Sequence, residues 1–229
     1  MKQIDIPVST QDHDSLNPQL WQDLHLKKAV HVALMRIAKE YLAFLNVDSP
    51  VKDLVVTGSQ ANYNYGPHSD LDLHIIMDYE GVNCDDANVA DFFDTKRKLW
   101  RSQHHIHIYG IPIELYVEDL NTPAVTNSYS LVSSTWIRAP KHMTQTVDTK
   151  EIEQIALKWT RVITKAIRTG DLAQLNKVKD MLSLYRKTAL KQQGENSPGN
   201  WAFKALRNSG VIEKLMTAIR TLEDQELSI

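Results

Sequence analysis

The stretch Leu54-Val55-Val56-Thr57-Gly58-Ser59, followed ten residues later by Asp70-Leu71-Asp72-Leu73-His74-Ile75-Ile76-Met77, decides how this chain is read. The first piece is a short apolar run that stops at Gly-Ser, the pattern of a buried strand delivered into a tight turn. The second piece alternates polar with apolar residues. Alternate side chains of an extended strand leave opposite faces, so Asp70, Asp72 and His74 share one face and Leu71, Leu73 and Ile75 the other. Two carboxylates projecting together repel, and a cation between them lifts that cost. Hard oxygen donors of this kind suit Mg²⁺ or Mn²⁺. Between the two pieces, Gln60 to Ser69 is rich in Asn, Tyr, Gly and Pro and reads as a loop with one helical turn.

Downstream, Asp91 to Gln103 has the spacing of a helix, with Phe92, Phe93, Leu99 and Trp100 as its apolar set. His105 to Tyr109 and Ile111 to Val117 are strand-like runs separated by Gly110, as in a hairpin or bulge. In the second run the odd-numbered residues are apolar and Glu114 points the other way. If this strand lies beside Leu71–Met77, Glu114 completes a cluster of three carboxylates. Such a cluster can hold two divalent ions about 4 Å apart. A glycine directly after a strand lets the backbone approach a phosphate closely, and the Ser59 hydroxyl can donate to its oxygens. Ser69 is a second candidate donor.

Upstream, residues 1–16 are polar and read as an irregular arm. Asn17-Pro18 is a helix start, and apolar residues from Leu20 to Leu45 recur at helical spacing until Asp48-Ser49-Pro50 ends them. Beyond Thr149 the character changes to helices alone. These are Glu151 to Thr169, Asp171 to Gln193, a segment capped by Ser197-Pro198 that runs to Arg207, and a last helix from Gly210 to about Glu226. The expected class is α+β: a small mixed sheet with flanking helices over residues 17–145, then a helical bundle over 146–229.

The 229 residues are 42% hydrophobic and 24% charged, which allows a sizeable core and excludes disorder as the general state. A formal net charge of −2 provides no global field toward nucleic acid or an anionic membrane. One cysteine, Cys84, lies in a polar stretch and reads as a stray thiol. It can form no disulfide within the chain and fits a reducing compartment. No zinc-type Cys/His spacing occurs. The first residues lack the apolar run of a signal peptide, and no uncharged stretch approaches membrane-spanning length, so a cytoplasmic protein is expected.

Gly58-Ser59, ten intervening residues, Asp70-Leu71-Asp72-Leu73 and a later strand acid together resemble the signature of the DNA polymerase β-like nucleotidyltransferase superfamily. The resemblance covers about residues 50–120, and the wider arrangement is similar to stand-alone bacterial and phage members. It implies that Asp70 and Asp72 bind metal, that Glu114 is the third catalytic acid, and that Gly58 and Ser59 hold a nucleoside triphosphate. The third acid in that superfamily is more often Asp. The activity implied by the resemblance is transfer of a nucleoside monophosphate, with ATP the expected donor and two Mg²⁺ or Mn²⁺ ions assisting. The acceptor would be a hydroxyl on a small molecule, an RNA 3′ end or a protein, with pyrophosphate released. The helical region would close the cleft and select that acceptor. A catalytically inactive nucleotide- or protein-binding module is the competing class, and pyrophosphate transfer to a nucleotide a third.

Other residues have bland readings beside sharp ones. His74 can reach a phosphate or be a satisfied structural histidine. His105 and His107 share a strand face with Tyr109 but lack a third partner at ligand spacing, so a solvated face is the better reading for them and for His104. Tyr63 and Tyr65 can stack on a base or pack their loop. Lys96, Arg97, Lys98 and Arg101, and also Lys204 with Arg207, can meet phosphates or simply be solvated helix faces. Trp136, Trp159 and Trp201 read as core.

Overall fold

A computed structural model describes residues 12–82, 86–122, 127–142, 148–194 and 196–228. Cys84, most of the N-terminal arm and the expected boundary at 145/146 lie outside them. The described residues fall into two compact units, one within Gln11–His142 and the other within Met143–Ile229.

In the first unit, a six-stranded mixed sheet is built from β3 (Val51–Thr57), β4 (Leu71–Met77), β5 (His107–Ile108), β6 (Ile111–Asp119), β7 (Ser128–Ser130) and β8 (Thr135–Arg138), in the order β5-β6-β4-β3-β7-β8. The pair β4/β6 is parallel and every other neighbouring pair is antiparallel. Alternation in β4 is complete: Leu71, Leu73, Ile75 and Met77 are all fully buried, while the residues between them are half-exposed. Each such leucine or isoleucine contributes roughly 1.5–3 kcal/mol by leaving water. They belong to one core with Val30, Leu34, Ile37, Tyr41 and Leu45 of α1 (Lys28–Leu45) and Phe93 of α2 (Asp86–Gln103). The two helices meet through Trp100, whose ring lies 5.3 Å from Tyr41 and 5.1 Å from Phe44. Leu99, expected in this apolar set, is instead 45% exposed.

The helix expected to begin at Asn17 begins only at Lys28. Before it the chain makes a turn and a two-residue hairpin, β1 (Trp21–Gln22) against β2 (His25–Leu26). Asn17 does act as a local cap, accepting from Gln19 N at 3.0 Å, but it closes a turn rather than a helix. The competing force is tertiary. Trp21 is buried, stacks on Trp136 at 5.0 Å and donates its indole N–H to the Gln60 carbonyl at 2.8 Å. Packing of that indole overrides the weak helical preference of the surrounding residues.

The second unit is helical: α3 (Thr149–Thr169), α4 (Leu172–Gln193), α5 (Pro198–Asn208) and α6 (Val211–Leu227). Asp148, Asp171 and Ser197 each cap a helix start by accepting backbone N–H groups, and Gly170 ends α3 in the left-handed conformation. Ile152, Ala156, Ile163, Leu175, Trp201 and Leu215 are among its core. Trp159 is only partly buried. No helix among the described residues is long and apolar enough to cross a membrane.

Candidate active site

The parallel pairing of β4 and β6 sets Asp72 directly opposite Glu114. The same cross-strand level continues outward, because Thr57 pairs with Asp72, Ser128 with Thr57 and Arg138 with Ser128. Direct partners in a sheet share a face. One polar row therefore crosses four strands, Ser128, Thr57, Asp72 and Glu114, and Arg138 meets Ser128 at a bulge beside it. One step further along the face lie His74 and Tyr116, again in register.

Gly58 ends β3 beside this row with φ 76°, a conformation that side chains rarely tolerate. A Cβ placed on it would lie 2.0 Å from Asp72 Oδ2. The carboxylate of Asp72 thus occupies the space that only glycine leaves. After Gly58 the chain makes a 3₁₀ turn, Ser59–Ala61. Asn127 clamps that turn from the far side, its amide donating to Gly58 O at 2.9 Å and to Ala61 O at 2.8 Å. Thr57 in turn donates its hydroxyl to the Asn127 carbonyl at 2.6 Å. Asn127 is nearly fully buried, so these bonds are made away from water, where losing one is costly.

Glu114 is held on two sides. Tyr116 donates its hydroxyl to Glu114 Oε2 at 2.6 Å, and Arg101 of α2 forms an ion pair with Oε1. Burial, then the hydrogen bond to Glu114, then the charges of Glu114 and Asp72 push the Tyr116 hydroxyl well above the ordinary tyrosine value, so it stays a donor. Arg97 lies over the Tyr116 ring at 4.8 Å. Behind it Asp94 binds both Arg97, at 2.5 Å, and Lys98, at 2.6 Å, and those hydrogen bonds lower the Asp94 carboxyl. Lys96 sits over the rings of Phe44 and Phe92. The basic cluster of α2 is thus largely engaged within its own unit, with Arg101 the member that reaches a site acid. In the other unit Lys204 lies over Trp201 at 4.7 Å.

The remaining candidates separate. Asp70 immediately precedes β4, one alternation step before Asp72. The Ser69 hydroxyl accepts from Gly66 N at 2.9 Å and closes the loop's own turn. His74 pairs with Glu118 at 2.9 Å, and that bond, outweighing burial, lowers the Glu118 carboxyl below its ordinary value. Tyr63 stacks on His142 at 3.7 Å and Tyr65 on His13 at 3.9 Å. His105 and His107 are exposed, His107 turning back on the His105 carbonyl.

Asp72 and Glu114 suit a divalent cation by donor type, being neighbouring carboxylates on adjacent strands. Among the described residues, however, no group of three or more His, Cys, Asp or Glu is placed to hold an ion. Asn127 and Arg138 were not legible as site residues. Arg138 stands at the end of a four-residue strand and Asn127 just before a three-residue one, too short for alternation to register. Comparison of the chain with protein-family models, with curated proteins and with solved structures gave no match.

Proposed function

We propose that this chain is a metal-dependent nucleotidyltransferase of the DNA polymerase β-like kind. The observation that carries this reading is the in-register pair Asp72–Glu114 beside Gly58, whose missing side chain makes room for the Asp72 carboxylate. Two acids and a bare backbone turn at one end of a sheet form a site that is negative on one side and open to phosphate on the other. An acid pair of this kind serves no purpose in the core that supports it.

In this reading the Gly58-Ser59 turn, braced by Asn127, receives the outer phosphates of a nucleoside triphosphate through its backbone and the Ser59 hydroxyl. The acceptor oxygen attacks the α-phosphorus, a new P–O bond forms, and the α–β anhydride bond breaks. Pyrophosphate leaves with the electron pair, and the hydroxyl proton passes to Glu114. Asp72 and Glu114, the pair in register, would be the first ligands of Mg²⁺ or Mn²⁺, with Asp70, one alternation step before Asp72, as the proposed third, and a bound ion would draw charge from the phosphates. Arg138 lies three strand spacings, roughly 14 Å, from Asp72 across the sheet.

A second reading is favoured by the grip of Arg101 and Tyr116 on Glu114. A non-catalytic nucleotide- or protein-binding module would keep that acid engaged permanently. The two readings divide on one set of measurements. Each α-labelled NTP is incubated with Mg²⁺, a host-cell extract and either wild type, Asp70→Asn or Asp72→Asn, and melting temperatures are recorded in parallel. The enzyme should label an acceptor and be stabilised by Mg²⁺ with NTP, and both responses should vanish in the variants. A wild type that labels nothing and gains no stability with any NTP would sink the transferase reading. Stabilisation by NTP without labelling would favour the module.

A further inference from the structure

A cavity of about 560 Å³ opens in the first unit between the segment around His13, the loop that joins β3 to β4, and the tip of the β5–β6 hairpin. Its lining includes Gln60, next to Ser59, and Ser69, next to Asp70; Pro112 lies two residues before Glu114. It therefore adjoins the end of the sheet that carries the acids. Its size suits a small molecule rather than a macromolecular segment.

The lining chemistry narrows the occupant. None of its residues among those described is Lys, Arg, Asp or Glu. A polycationic ligand needs carboxylates and a polyphosphate backbone needs cations, so both are poor occupants. What the cavity offers is aromatic and apolar surface together with the amides of Asn17, Gln19 and Gln60. The Tyr65 ring is fixed by its stack on His13, with an interplanar angle of 12°, and His13 is tied by its ring to Tyr65 O at 3.1 Å and by its N–H to Tyr63 O at 2.8 Å. A ring held in this way loses little further freedom when a ligand stacks on it.

Tyr109 adds an independent signal. Together with Gly110 it forms the two-residue hairpin turn, at φ 51° and 81°. Such turns favour Asn, Asp or Gly at the first position, and a tyrosine there is strained. The strain returns little packing within the unit, because Tyr109 is 58% exposed. A large ring kept at an unfavourable position, on the rim of a cavity, is a feature of recognition.

We propose that this cavity is the acceptor subsite and that it binds an uncharged flat ring of the kind a nucleoside carries, stacked on Tyr65 and covered by Tyr109. The assignment to the acceptor rests on the transferase reading, since the cavity flanks the strand start that leads to Glu114. Binding of the ring itself does not depend on metal or on the acids.

The test uses the four common ribonucleosides as probes, without metal or phosphate, followed by saturation-transfer NMR on the full chain. At least one nucleoside should bind wild type saturably. Tyr65→Ala should weaken it about tenfold, the range expected for loss of one base–aromatic stack. Because Tyr65 also packs its loop, Tyr109→Ala, at an exposed tip, provides a second variant that retains the fold and should weaken binding several-fold. Asp72→Asn should bind the nucleoside like wild type. No saturable binding of any nucleoside, or equal binding by wild type and both tyrosine variants, overturns the proposal. Displacement of the nucleoside by saturating NTP with no acceptor present overturns the acceptor assignment, because the cavity then belongs to the donor. If nucleosides bind as expected but no label is ever transferred, the transferase reading fails and the ring site stands.

Discussion

Strand β4 faces two environments that impose opposite demands. On one side Leu71, Leu73, Ile75 and Met77 are fully buried and are held by the release of water. On the other, Asp72 and His74 stand half-exposed beside Glu114, Tyr116 and Glu118, where charge must be arranged rather than removed. Neighbouring residues of the same backbone thus serve stability and chemistry separately. The difference shows how a sheet can carry a costly acid pair: the backbone that positions Asp72 is fixed by Leu71 and Leu73 on either side of it.

The largest expected effect breaks the comparison on its polar side. Asp72→Asn keeps the shape but removes the charge beside Gly58, and the proposed nucleotidyl transfer should fall about a hundred- to a thousandfold, the loss typical of one preorganised electrostatic contact. Its melting temperature should change far less than that of a core variant, since the substitution keeps the size of the side chain and leaves the buried face of β4 untouched. A radiolabel assay beside a thermal melt checks both. A variant that loses stability along with activity would show that the two faces are not independent.

Leu73→Ala is the converse. Its side chain is fully buried, and the cavity left should cost about 2–5 kcal/mol in denaturant unfolding. If enough protein remains folded at low temperature, activity per folded molecule should be close to wild type. Asn127→Ala should fall between the two, because Asn127 stabilises the fold by shaping the Gly58 turn. Losing its two donors to Gly58 and Ala61 should cost about 1–3 kcal/mol and raise KM for NTP more than it lowers kcat.

Legibility in the sequence obeys the same division. Alternation over Leu71–Met77 and Ile111–Val117 requires only a period of two, so both strands and their polar faces could be read directly. The helix start at Asp171 and the cap at Ser197 are local hydrogen-bond patterns and were equally readable, whereas the Asp148 cap was missed and its helix was expected only from Glu151. What could not be read depends on long-range contact. Trp21 forms a hairpin because Trp136 and Gln60 await it. Asn127 braces a turn 66 to 69 residues away. The in-register meeting of Asp72 and Glu114 was expected only if the two strands paired, and nothing local requires that they do. The grip of Arg101 and Tyr116 on Glu114 was not foreseen, because a helix and a strand must first be packed before those groups can meet.

The smallest effect sharpens the comparison at the edge of the polar face. Glu118 is partly exposed and its carboxyl is lowered chiefly by the bond from His74, so screening limits the pair to below about 1 kcal/mol. A carboxyl lowered in the folded state stabilises the fold above its ordinary value. That contribution fades as pH falls from the ordinary glutamate range through the lowered one. Glu118→Gln should therefore melt slightly below wild type at neutral pH, with the gap closing in acid, and added salt should narrow it at neutral pH. A gap that persists unchanged in acid would mean that Glu118 acts through packing, like the leucines behind it, and that the polar face extends less far along β6 than its register implies.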